Sequence, residues 1–165
     1  MPYPHWLAGE DIDADGLNAL FAQAYKTADE SLSSSTTLQN DDQLAVPVAA
    51  NALYRVDLFL IYSSDVSADF KLDFTTPSGS TMRWTPQGPA PSASGTDGSL
   101  VFQVRTGSES AVLGGTGSGV AAAAAGSLST GGTAGTLQVR WAQNSSSVTT
   151  TTVRLGSLLT LLRVN

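Results

Sequence analysis

The sequence predicts a mainly β protein, an antiparallel β-sandwich of jelly-roll type with a short N-terminal arm and one helix. About eight short segments alternate apolar and polar residues with a period of two, and turn residues separate them. The composition is rich in Gly, Ser and Thr and only 13% charged, which suits strands and turns better than a helical bundle. The 165 residues are enough for one globular domain.

The first part of the chain differs from the rest in its pattern. Residues 1–12 combine prolines with Tyr3 and Trp6, which predicts an irregular arm that lies on another surface. Apolar residues then recur at helical spacing, and this spacing predicts a helix over 14–25. We therefore assign residues 1–27 as an arm and helix that form an attachment segment.

The remainder, residues 28–165, is the predicted β-sandwich domain. Two segments, 53–62 and 156–164, are apolar on both faces of a period-two pattern, which is typical of a central strand or a subunit interface. A symmetric homo-oligomer would cover the extra apolar surface. Trp84 and Trp141 take the inward phase of their strands, which favours the core over a sugar-binding surface.

Turn residues divide the middle of this domain. Residues 70–74 and 81–85 alternate in pattern and form a predicted hairpin. The segment 86–98 is rich in Pro and Gly, which predicts an exposed loop. The segment 99–106 returns as a predicted strand that carries Leu100, Phe102 and Val104.

The stretch 114–135 holds half of the 16 glycines and a run of alanines, and it leaves two interpretations open. Its small side chains bury little apolar area, which is typical of a flexible loop. The same residues allow close approach to a neighbouring backbone, which would suit a pair of short strands. The flanking glycines argue against a helix.

Charge and composition exclude several classes of protein. The net charge of -6 repels phosphates and anionic lipids, so we expect neither a nucleic-acid partner nor a membrane partner. Without cysteine there is no disulfide, thiolate metal site or cysteine nucleophile. The sequence has no signal-peptide pattern at its start and no apolar run near the roughly 20 residues of a membrane span, so we expect a soluble chain.

Few residues are candidates for catalysis or cofactor binding. The single histidine, His5, lies in the arm, where no scaffold for a triad or a zinc site is predicted. Residues 11–16 match the start of a calcium-binding loop, but Ala22 stands where that loop needs a bidentate Glu. We interpret these acidic residues as the N-cap of the helix, and we expect no cofactor, no metal and no enzymatic activity.

Two acidic pairs remain as candidates for glycoside hydrolysis, which needs two carboxyl groups. They are Asp41 with Asp42 and Asp57 with Asp65. Neighbouring acids are expected by chance in a chain with this net charge, so we assign no catalytic residue. Loss of polymer cleavage on replacing Asp57 or Asp65 with Asn would support the hydrolase alternative.

Four segments resemble a known class of proteins: WLAGEDIDADGLNAL, the run from YKTADESL to LFLIY, ADFKLDFTTPSGSTMRW, and the run from GTLQVRWAQN to LLRV. The most specific pieces are SSTTLQNDDQL followed by VAANALY, and WAQN followed by TVRLGSLLTLLRV. Together they resemble small virion proteins of tailed bacteriophages that infect actinobacteria. Such proteins are similar in outline to trimeric jelly-roll knobs, and the resemblance implies a head-decoration or minor tail protein without a catalytic motif.

The resemblance and the apolar strands together predict a virion structural protein, a surface-displayed homotrimer assembled in the host cytoplasm. We favour capsid decoration, because the chain has no heptads or collagen repeat to form a fibre shaft. The alternatives are a minor tail protein or a receptor- or glycan-binding knob whose 86–98 loop contacts the host surface. The candidate residues for docking on capsid or tail proteins are Tyr3, Trp6, Leu17, Leu20 and Phe21.

Overall fold

Two antiparallel β-sheets pack face to face and form the β-sandwich that the sequence predicts. The structure is a computed structural model, and it describes residues 8–9, 11, 14–18, 20–91, 99–107 and 109–164. Within these ranges the chain is mainly β, with one short helix. The predicted fold class is therefore confirmed.

The described part of the chain contains one helix, α1 (Ala14–Asn18), and a series of strands. The strands are β1 (Phe21–Tyr25), β2 (Glu30–Leu32), β3 (Gln39–Val48), β4 (Leu53–Ser63), β5 (Phe70–Thr75), β6 (Thr81–Pro89), β7 (Leu100–Val101), β8 (Arg105–Thr106), β9 (Ala111–Leu113), β10 (Gly119–Ser129), β11 (Gly135–Gln143), β12 (Thr151–Val153) and β13 (Leu158–Arg163).

The two sheets differ in size. The large sheet has the strand order β1-β13-β4-β10-β6-β7, with β8 also on β6, and β12 joins β2 to β4. The small sheet has the order β3-β11-β5-β9. The chain alternates between the sheets from β3 to β6 and again from β9 to β11, as in a jelly roll. Because β4 lies between β13 and β10, the central position predicted for 53–62 is confirmed.

The core lies between the sheets, where alternate residues of each strand are apolar. Aromatic rings run through it: Tyr62 lies 4.4 Å from Phe70, which stacks 5.9 Å from Trp141. Phe74 meets Trp84 edge-on at 5.0 Å between ring centroids. Both tryptophans are buried, which confirms their predicted place in the core.

The Gly- and Ala-rich stretch forms a long central strand. β10 pairs with β4 along its whole length and with β6 on its other side. A Cβ atom at Gly126 would lie 2.5 Å from the carbonyl oxygen of Arg83 and 2.8 Å from the Cβ of Trp84. Only glycine allows this close approach. The flexible-loop interpretation of this stretch is therefore wrong, and one 11-residue strand replaces the predicted pair of short strands.

The helix predicted over 14–25 is wrong in its second half. α1 ends at Asn18, a last turn closes with the bond from Leu20 N to Leu17 O at 3.1 Å, and the chain continues as β1. The strand pairs with β13 along all of its residues, and these cross-strand bonds outweigh the weak preference of a short segment for a helix. The sandwich thus includes part of the segment 1–27, whose attachment role stays a prediction.

The strand predicted over 99–106 forms in two pieces, β7 and β8. Both pair with β6 in one register, which sets Val101 opposite Gly88 and Arg105 opposite Trp84. Pro86 lies between these pairs on β6 and has no N–H to donate, so the ladder is interrupted there. Residues 102–104 therefore run beside β6 without being part of the regular ladder.

Candidate assembly interface

The outer face of the large sheet points away from the small sheet, and part of it is apolar. Successive side chains of a strand point to opposite faces, so β4 has a second set of residues opposite its buried set. On the outer face it carries Leu53, Phe59 and Ile61. Leu53 and Phe59 are exposed, and Ile61 is half-buried. This second apolar face has no covering layer within the described chain.

One row of outer-face residues crosses the sheet at the level of Phe59. Cross-strand pairing aligns its members on β1, β13, β4, β10 and β6. The register of β6 with β7 and β8 then places Phe102 next to Gln87 at the edge of the sheet. From edge to edge the row is Tyr25, Leu158, Phe59, Ala123, Gln87 and Phe102. The exposed fractions are 57% for Tyr25, 47% for Phe59 and 72% for Phe102.

A second apolar row lies beside the first, two residues further along the strands. It sets Ile61 opposite Ala121 and Pro89 opposite Leu100, which is 71% exposed. Only Gln87 interrupts the apolar character of the two rows. We name their apolar residues the apolar band: Tyr25, Phe59, Ile61, Pro89, Leu100, Phe102, Ala121, Ala123 and Leu158.

A groove of about 390 Å³ lies in the middle of the apolar band. Its lining includes Ala121 and Ala123 as the floor, Phe59 on one side, and Pro89 and Leu100 on the other. The floor is low because alanine side chains stand between longer ones. A concave apolar surface of this kind is suited to an apolar group from another molecule.

The neighbouring row of the same face is polar. It comprises Gln23, Thr160, Asp57, Ala125 and Thr85. Arg55 Nε donates to Asp57 Oδ2 at 2.9 Å, and both side chains are well exposed, so this ion pair contributes below about 1 kcal/mol. The polar row is well solvated by water. The apolar band exposes apolar groups to water, and covering them would lower the free energy of the protein.

The area of the band is large for a monomer. The exposed parts of its three aromatic side chains amount to roughly 350 Å², because such side chains have 150–250 Å² each. With the exposed parts of its aliphatic side chains, the band has an apolar area of roughly 600 Å². This is at the upper end of the range, about 300–600 Å², for the largest apolar patch on a typical monomer. This approaches the roughly 800 Å² that each partner contributes to a standard protein interface.

Three of the residues predicted for docking, Leu17, Leu20 and Phe21, lie in the described part of the chain. Leu17 is exposed on α1, Leu20 is half-buried in the following turn, and Phe21 is 62% exposed on the outer face of β1. Tyr3 and Trp6 lie outside the described residues. Phe21 shares its strand and outer face with Tyr25 of the apolar band, and Gln23 of the polar row lies between them.

One acid of the pair Asp41 and Asp42 is part of a buried ion cluster. Lys26 Nζ donates to Asp41 at 2.9 and 2.8 Å and to Glu30 Oε2 at 2.8 Å. Burial disfavours the charge of Lys26, but the hydrogen bonds to Asp41 and Glu30 outweigh it and raise the pKa of the ammonium above its ordinary value. Asp41 also accepts the N–H of Leu44 at 2.9 Å. This cluster fixes the end of β1 to β3, while Asp42 is exposed.

The other acidic pair consists of two separately engaged carboxylates. Asp57 pairs with Arg55 on β4, whereas Asp65 accepts the hydroxyl and the N–H of Ser67 in the next loop, and these bonds lower the pKa of Asp65. No group of three or more His, Cys, Asp or Glu residues that could hold a metal occurs within the described ranges. His5 lies outside them. In the same ranges, no helix has the length and apolar character needed to cross a membrane.

The fold and this surface define the chain as a jelly-roll-like β-sandwich with an exposed apolar face. No protein-family model matches the chain, and no curated protein matches it. A similar solved structure is described as the structure of the tripod (BppUct-A-L) from the baseplate of bacteriophage Tuc2009. The identity is 15%, over 96% of this chain and 72% of that chain, with a TM-score of 0.37. A likeness at this level carries no inference about function.

Proposed function

We propose that the chain is a structural protein of a bacteriophage particle, displayed on the virion surface as a homotrimer and serving as a capsid decoration protein. The observation that carries this proposal is the apolar band. A stable β-sandwich with a complete core has no folding need for exposed Phe59, Phe102 and Leu100 side chains. Their grouping on one face indicates a surface that functions when covered by another protein.

Symmetric assembly is the simplest way to cover such a face, because each copy supplies the same surface. The predicted three-fold arrangement comes from the resemblance of the sequence to trimeric virion knobs. The role on the particle comes from the same resemblance, and the attachment segment 1–27 supplies the contact with capsid or tail proteins. Phe21 and Leu17 are exposed at this end of the sandwich, which supports that contact.

A non-enzymatic role is supported by how the candidate acids are engaged. Asp41 neutralises buried Lys26, Asp57 pairs with Arg55, and Asp65 orders its own loop. None of these carboxylates lines the groove. Apart from Gln87, the groove is lined by apolar residues and Gly88, which suit packing better than hydrolysis.

The second candidate function is a minor tail protein or a receptor- or glycan-binding knob. The exposed loop predicted over 86–98 is wrong for residues 86–89, which form the end of β6, and residues 92–98 lie outside the described residues. The second function is favoured because the described ends of this segment, Pro89 on β6 and Leu100 on β7, form a wall of the groove. A host-surface ligand would then contact this segment and the groove wall formed by Pro89 and Leu100. Host-cell binding would distinguish this function from capsid decoration.

The test combines the mass of the purified protein by light scattering with co-sedimentation. The protein is mixed with capsids assembled without it and, separately, with host cells. A trimer that saturates the capsids and does not sediment with cells is the expected result. A trimer that sediments with cells instead would establish the receptor-binding function, and a monomer that binds neither would contradict the proposal.

A further inference from the structure

The edge of the large sheet next to the groove carries a protruding apolar ridge. Phe102 and Val104 lie on consecutive outward positions beside β6, and they are 72% and 60% exposed. Their neighbour Leu100 is 71% exposed and forms the wall of the groove. We name Phe102 and Val104 the edge ridge. The two residues are two positions apart, and the register of β6 with β7 and β8 places both beside the outer face of β6.

The groove has the complementary shape. Its alanine floor lies below Phe59 and Leu100, and the open volume of about 390 Å³ exceeds that of any single side chain. A phenylalanine ring from outside would contact apolar atoms on its two faces and at its tip. This contact is favourable because it removes the apolar surfaces of both the ring and the groove from water.

We infer that the edge ridge of one copy seats in the groove of a second copy of this chain. This rests on the proposed function, since it specifies the contact that holds the homotrimer together. Every copy supplies one ridge and one groove, so contacts between copies leave neither feature exposed. A different partner would have to supply both an apolar group for the groove and a surface that covers Phe102 and Val104, whereas a second copy already carries both features.

The areas support a second copy as the occupant. The apolar band provides roughly 600 Å² of apolar surface per copy. Val104 and the polar atoms around the band bring each side near the roughly 800 Å² of a standard interface. The exposed pair Arg55 and Asp57 lies beside the band, where it would form part of the polar rim that such interfaces have.

The test uses three variants of the full chain. The ridge variant is F102S/V104S, and the groove variant is A123Q, which fills the floor with a long polar side chain. The control is V66S/V148S, which replaces two exposed valines in loops away from the band, 56% and 88% exposed. Circular dichroism verifies the fold of each variant, and V104S alone replaces the ridge variant if the double substitution unfolds the chain.

Association is measured by light scattering over a range of concentrations and by native mass spectrometry. The ridge and groove variants are each expected to associate at least about 30-fold more weakly than the wild type, which corresponds to the loss of an interface hot spot. The control is expected to associate like the wild type. An equimolar mixture of the ridge and groove variants is expected to form a mixed dimer more strongly than either variant associates with itself. The intact ridge of the groove variant fits the intact groove of the ridge variant, whereas a closed mixed trimer would keep one of its three contacts.

Two results would overturn the inference, and they differ from failure of the proposed function. If the wild type is oligomeric but both variants associate equally well, the copies use another surface and only this contact is wrong. The same conclusion follows if both variants are monomeric and their mixture recovers no mixed complex. If the wild type itself is a monomer at every concentration, the proposed homotrimer is wrong, and this contact with it.

Discussion

The inner and outer faces of the large sheet are built from the same strands but have opposite environments. On β4 the inner residues Leu60 and Tyr62 are fully buried against the small sheet, whereas the outer residue Phe59 is 47% exposed. Both faces carry large apolar residues, although the outer face also carries Arg55 and Asp57. Large apolar residues on a strand therefore indicate that this face of the sheet is to be buried. They do not indicate whether the burying layer belongs to the same chain or to another one.

Replacement of an inner-face aromatic residue should have the largest effect on stability. Trp84 is fully buried and packs edge-on against Phe74, so Trp84→Ala leaves a cavity between the sheets. We expect a loss of about 3–5 kcal/mol in the free energy of unfolding, measured by urea denaturation. A loss below about 1 kcal/mol would mean that the inner face is not the core that the structure shows.

The close approach of β10 to β6 should give the next largest effect. In Gly126→Ala the new Cβ atom would meet the backbone oxygen of Arg83 at 2.5 Å, so the strands must shift, at a cost of about 1–3 kcal/mol. The matched control is Gly119→Ala on the same strand, where the Cβ atom finds only ordinary contact with Arg154 at 3.6 Å. Equal stability of the two variants in urea would contradict the predicted close packing.

Alkaline pH should weaken the inner face through Tyr62 and, at the edge of the core, through Lys26. Burial raises the pKa of Tyr62, and hydrogen bonds raise that of Lys26. A group whose pKa is raised in the folded state stabilises the fold when the pH lies below the ordinary pKa of that group. This stability is lost as the pH rises above about 10, because the unfolded chain then releases the proton more readily than the folded chain does.

The matching variant is Tyr62→Phe, which loses the bond to the Gly114 carbonyl oxygen, worth about 1 kcal/mol near neutral pH. Between about pH 9 and 12 its free energy of unfolding should fall less steeply than that of the wild type. Chemical denaturation at several pH values measures both slopes. Identical slopes would show that Tyr62 is not the alkaline-sensitive group.

The outer face should show the smallest effect on stability of the single chain. Phe59→Ser removes a half-exposed ring that touches no covering layer, so the free energy of unfolding of the dilute, unassociated chain should fall by about 1 kcal/mol, well below the loss at Trp84. Because Phe59 forms a wall of the groove, the same variant should associate more weakly in light scattering. A large loss of stability without a loss of association would mean that Phe59 belongs to the core and not to an assembly interface.

Local pattern was sufficient for a good part of the fold. Period-two alternation predicted the sandwich, the central position of β4 and the burial of Trp84 and Trp141. It did not predict β3, although Leu44, Val46 and Val48 alternate inward along it. Pro47 and the acids near the start of this strand concealed the signal, because charged residues and proline are typical of turns and sheet edges.

The candidate interface was only partly predictable. The two-sided apolar pattern of β4 indicated a face to be covered, but Leu100, Phe102 and Val104 gave no sign of lying on that same face. Their placement depends on the register of β7 and β8 against β6. Among the predicted docking residues in the described part of the chain, Phe21 lies on the outer face of the large sheet, because the segment after α1 forms a strand instead of a helix.

The sequence by itself determined that the chain forms β-strands with two apolar faces, because side-chain alternation is a local property of the backbone. Only the tertiary structure decided which segments pair, that the alanine-rich run is a central strand, and that Phe59, Ala123 and Phe102 share one row. Those outcomes depend on cross-strand register and on close backbone contacts such as that at Gly126. Both involve residues far apart in the chain, so no local pattern contains them.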